Sequence, residues 1–127
     1  MAKVQISETE FHKIFLAERN DDVLIVIPRG DAVSFRGSDI HGELQCLLTL
    51  LDQGGFTDIV VDFGSANYFG TTIIGCVTSL AGKIDELGGR MVLCNSSEEM
   101  LGVFRVMHLD TRWPHFDSRK IALRALN

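Results

Sequence analysis

The chain has 127 residues, a formal net charge of −5, 46% hydrophobic residues and 23% charged ones. That length fits one domain over 1–127, burying roughly two-thirds of its unfolded surface, and that balance excludes a disordered chain. An acidic chain without a Lys/Arg cluster speaks against nucleic acid, no apolar run nears the ~20 residues that span a bilayer, and no apolar signal core follows Met1, so a cytoplasmic protein is expected.

In chain order, Ile14 to Ala17 and Val23 to Ile27 are strand candidates separated by Arg19-Asn20-Asp21-Asp22, a spacing that reads as a hairpin. Pro28-Arg29-Gly30-Asp31 stops the second strand. From about Ser38, Ile40, Leu44, Leu47, Leu48 and Leu51 recur at helical spacing until Gly54-Gly55. A strand follows over Asp58 to Phe63. The next helix carries Ile73, Val77, Leu80, Ala81, Ile84 and Leu87 and ends at Gly88-Gly89, a left-handed cap.

Met91 to Cys94 lacks alternation, as expected of an inner strand covered on both faces. Ser96-Ser97-Glu98-Glu99 matches a capping box opening a helix with Leu101, Phe104, Val106 and Met107. Trp113 to Phe116 suits a short edge strand, where Pro114 is tolerated. Asp117-Ser118 then caps a last helix bearing Ile121, Leu123 and Leu126. A hairpin followed by helix–strand alternation implies a small α/β sandwich: a mixed, mostly parallel sheet of about four to five strands with crossover helices.

The stretch Ile59 to Gly75 carries most of the functional information. A buried-type strand passes through a short loop into Thr71 and Thr72, which open an apolar helix. Unpaired N–H groups and the helix dipole favour negative charge at such a place. Threonine there serves as a structural cap or, where a kinase reaches it, as a phosphorylation switch. Asp62 reads as a strand-end group bonding loop amides and Ser65 as a loop former. Tyr68 and Phe69 read as a partner-facing patch or, for one of them, as core.

Other chemistry is thin. Cys46, Cys76 and Cys94 are an odd, widely spaced set without a CxxC pair and read as reduced core thiols. His12, His41, His108 and His115 show no metal-ligand spacing, and His108 reads as a helix-terminal cap or surface residue. Neither Gly64-Ser65-Ala66 nor Gly70-Thr71-Thr72 has the ending of a phosphate loop. No catalytic residue, metal or cofactor is expected, so the chain reads as non-enzymatic.

Three local matches in order make the chain resemble a STAS domain, the fold of bacterial anti-sigma-factor antagonists, over about residues 11–126. They are Val23 to Asp31 with its Gly-acidic exit, Ile59 to Phe63 leading through Tyr68-Phe69 into a helix, and the return Gly88-Gly89-Arg90-Met91-Val92-Leu93-Cys94. In that family the loop before the second long helix reads Asp, two hydroxyl residues and Gly, and a partner kinase phosphorylates the second hydroxyl. By the resemblance the Asp position falls on Gly70, the hydroxyls on Thr71 and Thr72, and the closing Gly on Ile73.

The resemblance therefore implies a phosphorylation-controlled antagonist in a partner-switching pathway. Thr72 is the expected phosphoacceptor, with Thr71 as second choice, and Tyr68, Phe69, Gly70, Thr71 and Thr72 form the partner-binding stretch. The partner implied is an anti-sigma factor or a serine/threonine kinase of the partner-switching type, and a homodimer is left open. The alternatives are a constitutive STAS adaptor without a switch and, further off, a nucleotide-binding protein.

Overall fold

The computed structural model describes residues 4–5, 14–29, 37–66 and 70–126, with side chains from 40 onward in the first helix and from 72 onward in the second. Its strands are β1 (Val4–Gln5), β2 (Phe15–Asn20), β3 (Val23–Pro28), β4 (Asp58–Asp62), β5 (Arg90–Cys94) and β6 (His115–Phe116). The helices are α1 (Gly37–Gln53), α2 (Thr71–Glu86), α3 (Glu98–Val106) and α4 (Arg119–Leu126).

The six strands lie side by side in sequence order, two of them being two-residue edge strands. β1, β2 and β3 are antiparallel neighbours, and β3 through β6 are parallel. The mixed, mostly parallel sheet is thus as expected, with β1 as the element unforeseen. Asn20 pairs Val23, so the hairpin turn is only Asp21-Asp22, with Asp21 at φ 54°. Aspartate tolerates that left-handed angle better than most residues.

Each parallel crossover advances in the same direction, and right-handed connections then place α1, α2 and α3 on one face. Their Ile40, Leu44, Leu47, Leu51, Ile73, Val77, Leu80, Ile84, Met100 and Phe104 pack with Leu24, Val26, Ile59, Val61, Met91 and Leu93. Alternate residues of the same strands, Ile25, Ile27, Val60, Val92 and Cys94, point to the other face and meet Ala122 and Leu126 of α4. Cys76 and Cys94 are buried as expected, but Cys46 is exposed on α1.

The crossover helices α2 and α3 end on the same device. Gly89 N–H donates to Ile84 carbonyl at 2.8 Å and Gly88 N–H to Asp85 carbonyl at 3.0 Å, with Gly88 at φ 85°. This is the Schellman closure that Gly88-Gly89 foretold. A Cβ on Gly89 would lie 1.8 Å from the Thr57 carbonyl oxygen, so that position admits no side chain. After α3, Leu109 N–H reaches Phe104 carbonyl at 2.8 Å and His108 N–H reaches Arg105 carbonyl at 3.1 Å. His108 takes the left-handed position at φ 59°, a cap as read from the sequence.

The apolar faces of the last two helices differ from expectation. On α3 the buried residues are Met100 and Phe104, one turn apart, whereas Val106 is 79% exposed and Met107 lies exposed beyond the helix. Val106 is two residues past Phe104, about 200° around the helix and so on its outer side. On α4 the buried pair is Ala122 and Leu126, and Ile121 is exposed. Leu87 likewise falls just after α2, exposed.

Candidate functional site

β4 is buried along its whole length and delivers Asp62 to the end of the sheet where α2 and α3 begin. Asp62 Oδ1 accepts from the Gly64 N–H at 2.9 Å and from Asn95 Nδ2 at 2.9 Å. Its Oδ2 accepts from Arg119 Nε at 2.9 Å, and Arg119 also donates to Glu18 Oε1 at 3.0 Å. Burial pushes the Asp62 carboxyl up, but the bonds from Asn95, Gly64 and Arg119 and the Arg119 charge outweigh it and hold it below its ordinary 3.8. The sequence reading of Asp62 as a loop-bonding group stands; its partners Asn95, just after β5, and Arg119 on α4 were not foreseen.

The loop then enters α2 through Gly70, at φ −135° and ψ −174°, whose carbonyl accepts the Ile74 N–H at 3.0 Å. Gly70 is the N-cap, and no side chain among the described residues caps the helix. Thr71 and Thr72 are therefore the first two helical residues, and their reading as plain caps is corrected. No acidic residue lies in the first turn either. The positive end of this helix dipole is left without a compensating side-chain charge among the described residues of its first turn.

Thr72 is exposed and its hydroxyl makes no hydrogen bond among the described residues, while Ile73 and Ile74 are buried at 1% and 5% exposure. The branched side chain after Thr72 thus packs inward. Tyr68 and Phe69 lie outside the described residues, as does the side chain of Thr71. From Thr72 the outward face of α2 continues through exposed Gly75, Thr78, Ser79 and Gly82. A Cβ on Gly75 or Gly82 would meet nothing within 4 Å. Lys83 Nζ bridges to Asp52 Oδ1 of α1 at 2.8 Å beside this face.

The neighbouring helix start is built differently. Ser97 caps α3, its hydroxyl accepting the Met100 N–H at 3.2 Å, and Glu98 and Glu99 occupy the first turn. The expected capping box between Ser96 and Glu99 is not the one used. Ser96 Oγ instead lies 2.5 Å from His115 Nε2 on β6. Burial holds the His115 imidazole below its ordinary value against the opposing pull of Asp110, which suits a neutral ring as partner of the hydroxyl.

No helix among the described residues is long and apolar enough to cross a membrane. Among the same residues no three His, Cys, Asp or Glu side chains gather in a way that would hold a metal ion.

The family model described as the STAS domain matches residues 15–122. No curated protein sequence is significantly similar. Among solved structures, the chain is similar to the Bacillus cell fate determinant SpoIIAA in its phosphorylated form, with TM-score 0.70 and 18% identity over 89% of this chain and 99% of that one. An anti-sigma-factor antagonist (STAS) domain protein of Planctomyces limnophilus aligns with TM-score 0.72 and 21% identity, covering 88% of this chain and 97% of its own. An anti-sigma factor antagonist of Mycobacterium paratuberculosis gives 0.72 and 16%, over 88% and 92%.

Proposed function

The chain belongs to the STAS domain family, and from that premise we propose that it is a cytoplasmic, non-enzymatic antagonist in a partner-switching pathway, controlled by phosphorylation of Thr72. The observation that carries this reading is the exposed Thr72 at a helix start with no side-chain cap among the described residues and no acidic residue in its first turn. SpoIIAA, of the same fold, is known in phosphorylated and unphosphorylated forms. Ile73, where the family has glycine, is turned into the core, so a kinase meets the Thr72 hydroxyl without that side chain in its way.

Unmodified, the stretch Tyr68, Phe69, Gly70, Thr71, Thr72 and the small-residue face of α2 dock on an anti-sigma factor or a related ATP-dependent kinase. Glycines at 75 and 82 let a partner backbone approach the helix closely, at a cost in helix propensity that the fold itself does not require. The kinase moves the γ-phosphoryl group of ATP to Thr72 Oγ1, the hydroxyl proton passing to a base on the kinase and ADP leaving. The product adds ~1.5–2 negative charges to the interface. A penalty of ~3 kcal/mol weakens the complex more than a hundredfold.

The test is phosphopeptide mass spectrometry on the protein from growing and stressed cells, paired with pull-downs of wild type, Thr72→Ala and Thr72→Glu. Condition-dependent phosphate on Thr72, with binding kept by the alanine form and lost by the glutamate form, supports the switch. Absence of phosphate in every condition, with all three forms holding the same partner, makes the chain a constitutive adaptor.

A further inference from the structure

The outer edge of the sheet is only half closed. β5 spans Arg90–Cys94, but β6 pairs only Leu93 with His115 and Cys94 with Phe116. Strand alternation decides which main-chain groups of β5 face outward. Cys94 faces β4, its carbonyl accepting the Phe63 N–H at 3.0 Å, and Leu93 faces out, donating to Pro114 carbonyl at 2.9 Å. Met91, two residues earlier, points its N–H and C=O the same way as Leu93. Neither group has a hydrogen-bond partner on that side among the described residues.

The sequence explains why the edge stays open. Extending the β6 register by two residues would set Trp113 against Met91, with residue 114 donating its N–H to the Met91 carbonyl. Residue 114 is proline and has no N–H to give. The chain turns away instead, the Arg112 and Trp113 amides both donating to Leu109 carbonyl at 3.1 Å. Beside the open edge is a cleft of about 580 Å³ lined by Met91 together with Ile84, Trp113, Pro114 and Leu126.

Charge at the mouth favours one kind of occupant. Arg90, Arg112 and Asp85 line it, in a chain whose net charge is −5. Arg90 is already held by Asp58 at 3.4 Å and by the Leu126 carbonyl at 2.8 Å. Arg112 is exposed, its guanidinium 5.8 Å over the Trp113 ring, and it forms no ion pair among the described residues. An outward-facing N–H and C=O on one residue of an edge strand is matched by the peptide backbone of another strand.

We propose that this cleft docks an extended segment of a partner protein, which adds as a short strand to the outer edge of β5 and places a carboxylate on Arg112. The open edge, Arg90 to Val92, accommodates about three residues, roughly 10 Å of strand. It lies toward the start of β5, whereas Thr72 sits at the end of the sheet reached by the strands' last residues, and of the outward α2 face that begins at Thr72 only Gly82, at its far end, also lines the cleft. The inference stands whether or not Thr72 is phosphorylated.

The experiment selects random linear seven-residue peptides on phage against the full chain and titrates the enriched peptides into ¹⁵N-labelled protein. The expected peptides carry Asp or Glu, shift the amides of Met91, Arg112 and Trp113, and slow hydrogen exchange at Met91. N-methylating the paired peptide amide weakens binding about tenfold, and Arg112→Glu, an exposed change that leaves the fold intact, does the same. The proposal is overturned if no peptide enriches, or if those that do leave the Met91 amide unmoved. It also fails if binding survives N-methylation, or if sedimentation shows a second copy of the chain filling the edge.

Discussion

α2 and α3 begin at the same end of the sheet, each following a parallel strand, yet their first turns are finished in opposite ways. α3 has the hydroxyl cap of Ser97 and two acidic residues over its dipole, while α2 begins at Gly70 with no side-chain cap and no acid. A helix start completed with caps and negative charge is already stabilised and accepts further charge poorly. One left without them forgoes about 1 kcal/mol of stability and remains able to take an anion. The difference teaches where in this fold a phosphate is electrostatically welcome: at Thr72, and not at Ser97.

The sharpest way to break the comparison is to move charge between the two starts. Thr72→Glu is expected to weaken partner binding more than a hundredfold, ~3 kcal/mol, whereas Ser97→Asp leaves it within about twofold. Affinity measured on both variants checks this, and equal losses would erase the distinction. Next in size is Asp62, which ties the loop entering α2 to Asn95 ahead of α3. Asp62→Asn is expected to cost about 2 kcal/mol in urea unfolding, because it removes one of the two carboxylates that hold Arg119 and leaves Glu18 as the other.

The same group sets an acid limb. Its folded pKa is below 3.8, so its contribution is complete above the unfolded value and is lost as pH falls through the folded one. Stability of the wild type should therefore decline below about pH 4, and that part of the decline should vanish in Asp62→Asn. Smaller still, Ser97→Ala is expected to cost ~1 kcal/mol while Thr72→Ala stays within ~0.5 kcal/mol, since only the first hydroxyl caps a helix. Last, phosphate on Thr72 should stabilise the isolated protein by ~0.3–1 kcal/mol at low salt, fading as salt is added. Thermal melts with and without 0.5 M salt (a value on the order that screens surface charge) read this directly.

What was legible in the sequence followed from short-range chemistry. Gly88-Gly89 announced its turn because one residue needs a positive φ and the next has no room for a Cβ. The strand–helix alternation fixed the parallel half of the sheet through crossover handedness alone. Misreadings arose where a distant residue decided the matter. Ser96 matched a capping box, but His115, 19 positions on, takes its hydroxyl and the helix starts one residue later. Arg119 meets Asp62 and Glu18 across separations of 57 and 101 residues, beyond any periodicity or motif. At the site, Thr72 was readable as a helix-start hydroxyl and Ile73 as the first residue of the apolar face of α2, but Gly70 as the N-cap was not, since it depends on tertiary placement.

The strand order that copies the sequence order has a consequence for how the molecule is made. Each new strand emerging from the ribosome finds its neighbour already in place, so assembly advances by short loop closures, which favours rapid folding. The exception is α4, which covers the second face and joins β2 through Arg119 and Glu18 only after everything between them exists. Until synthesis reaches those last residues, the Ile25, Val60 and Val92 side of the sheet has no α4 to cover it. Nascent chains stalled before Arg119 should accordingly recruit chaperones, and release should coincide with the arrival of the final helix.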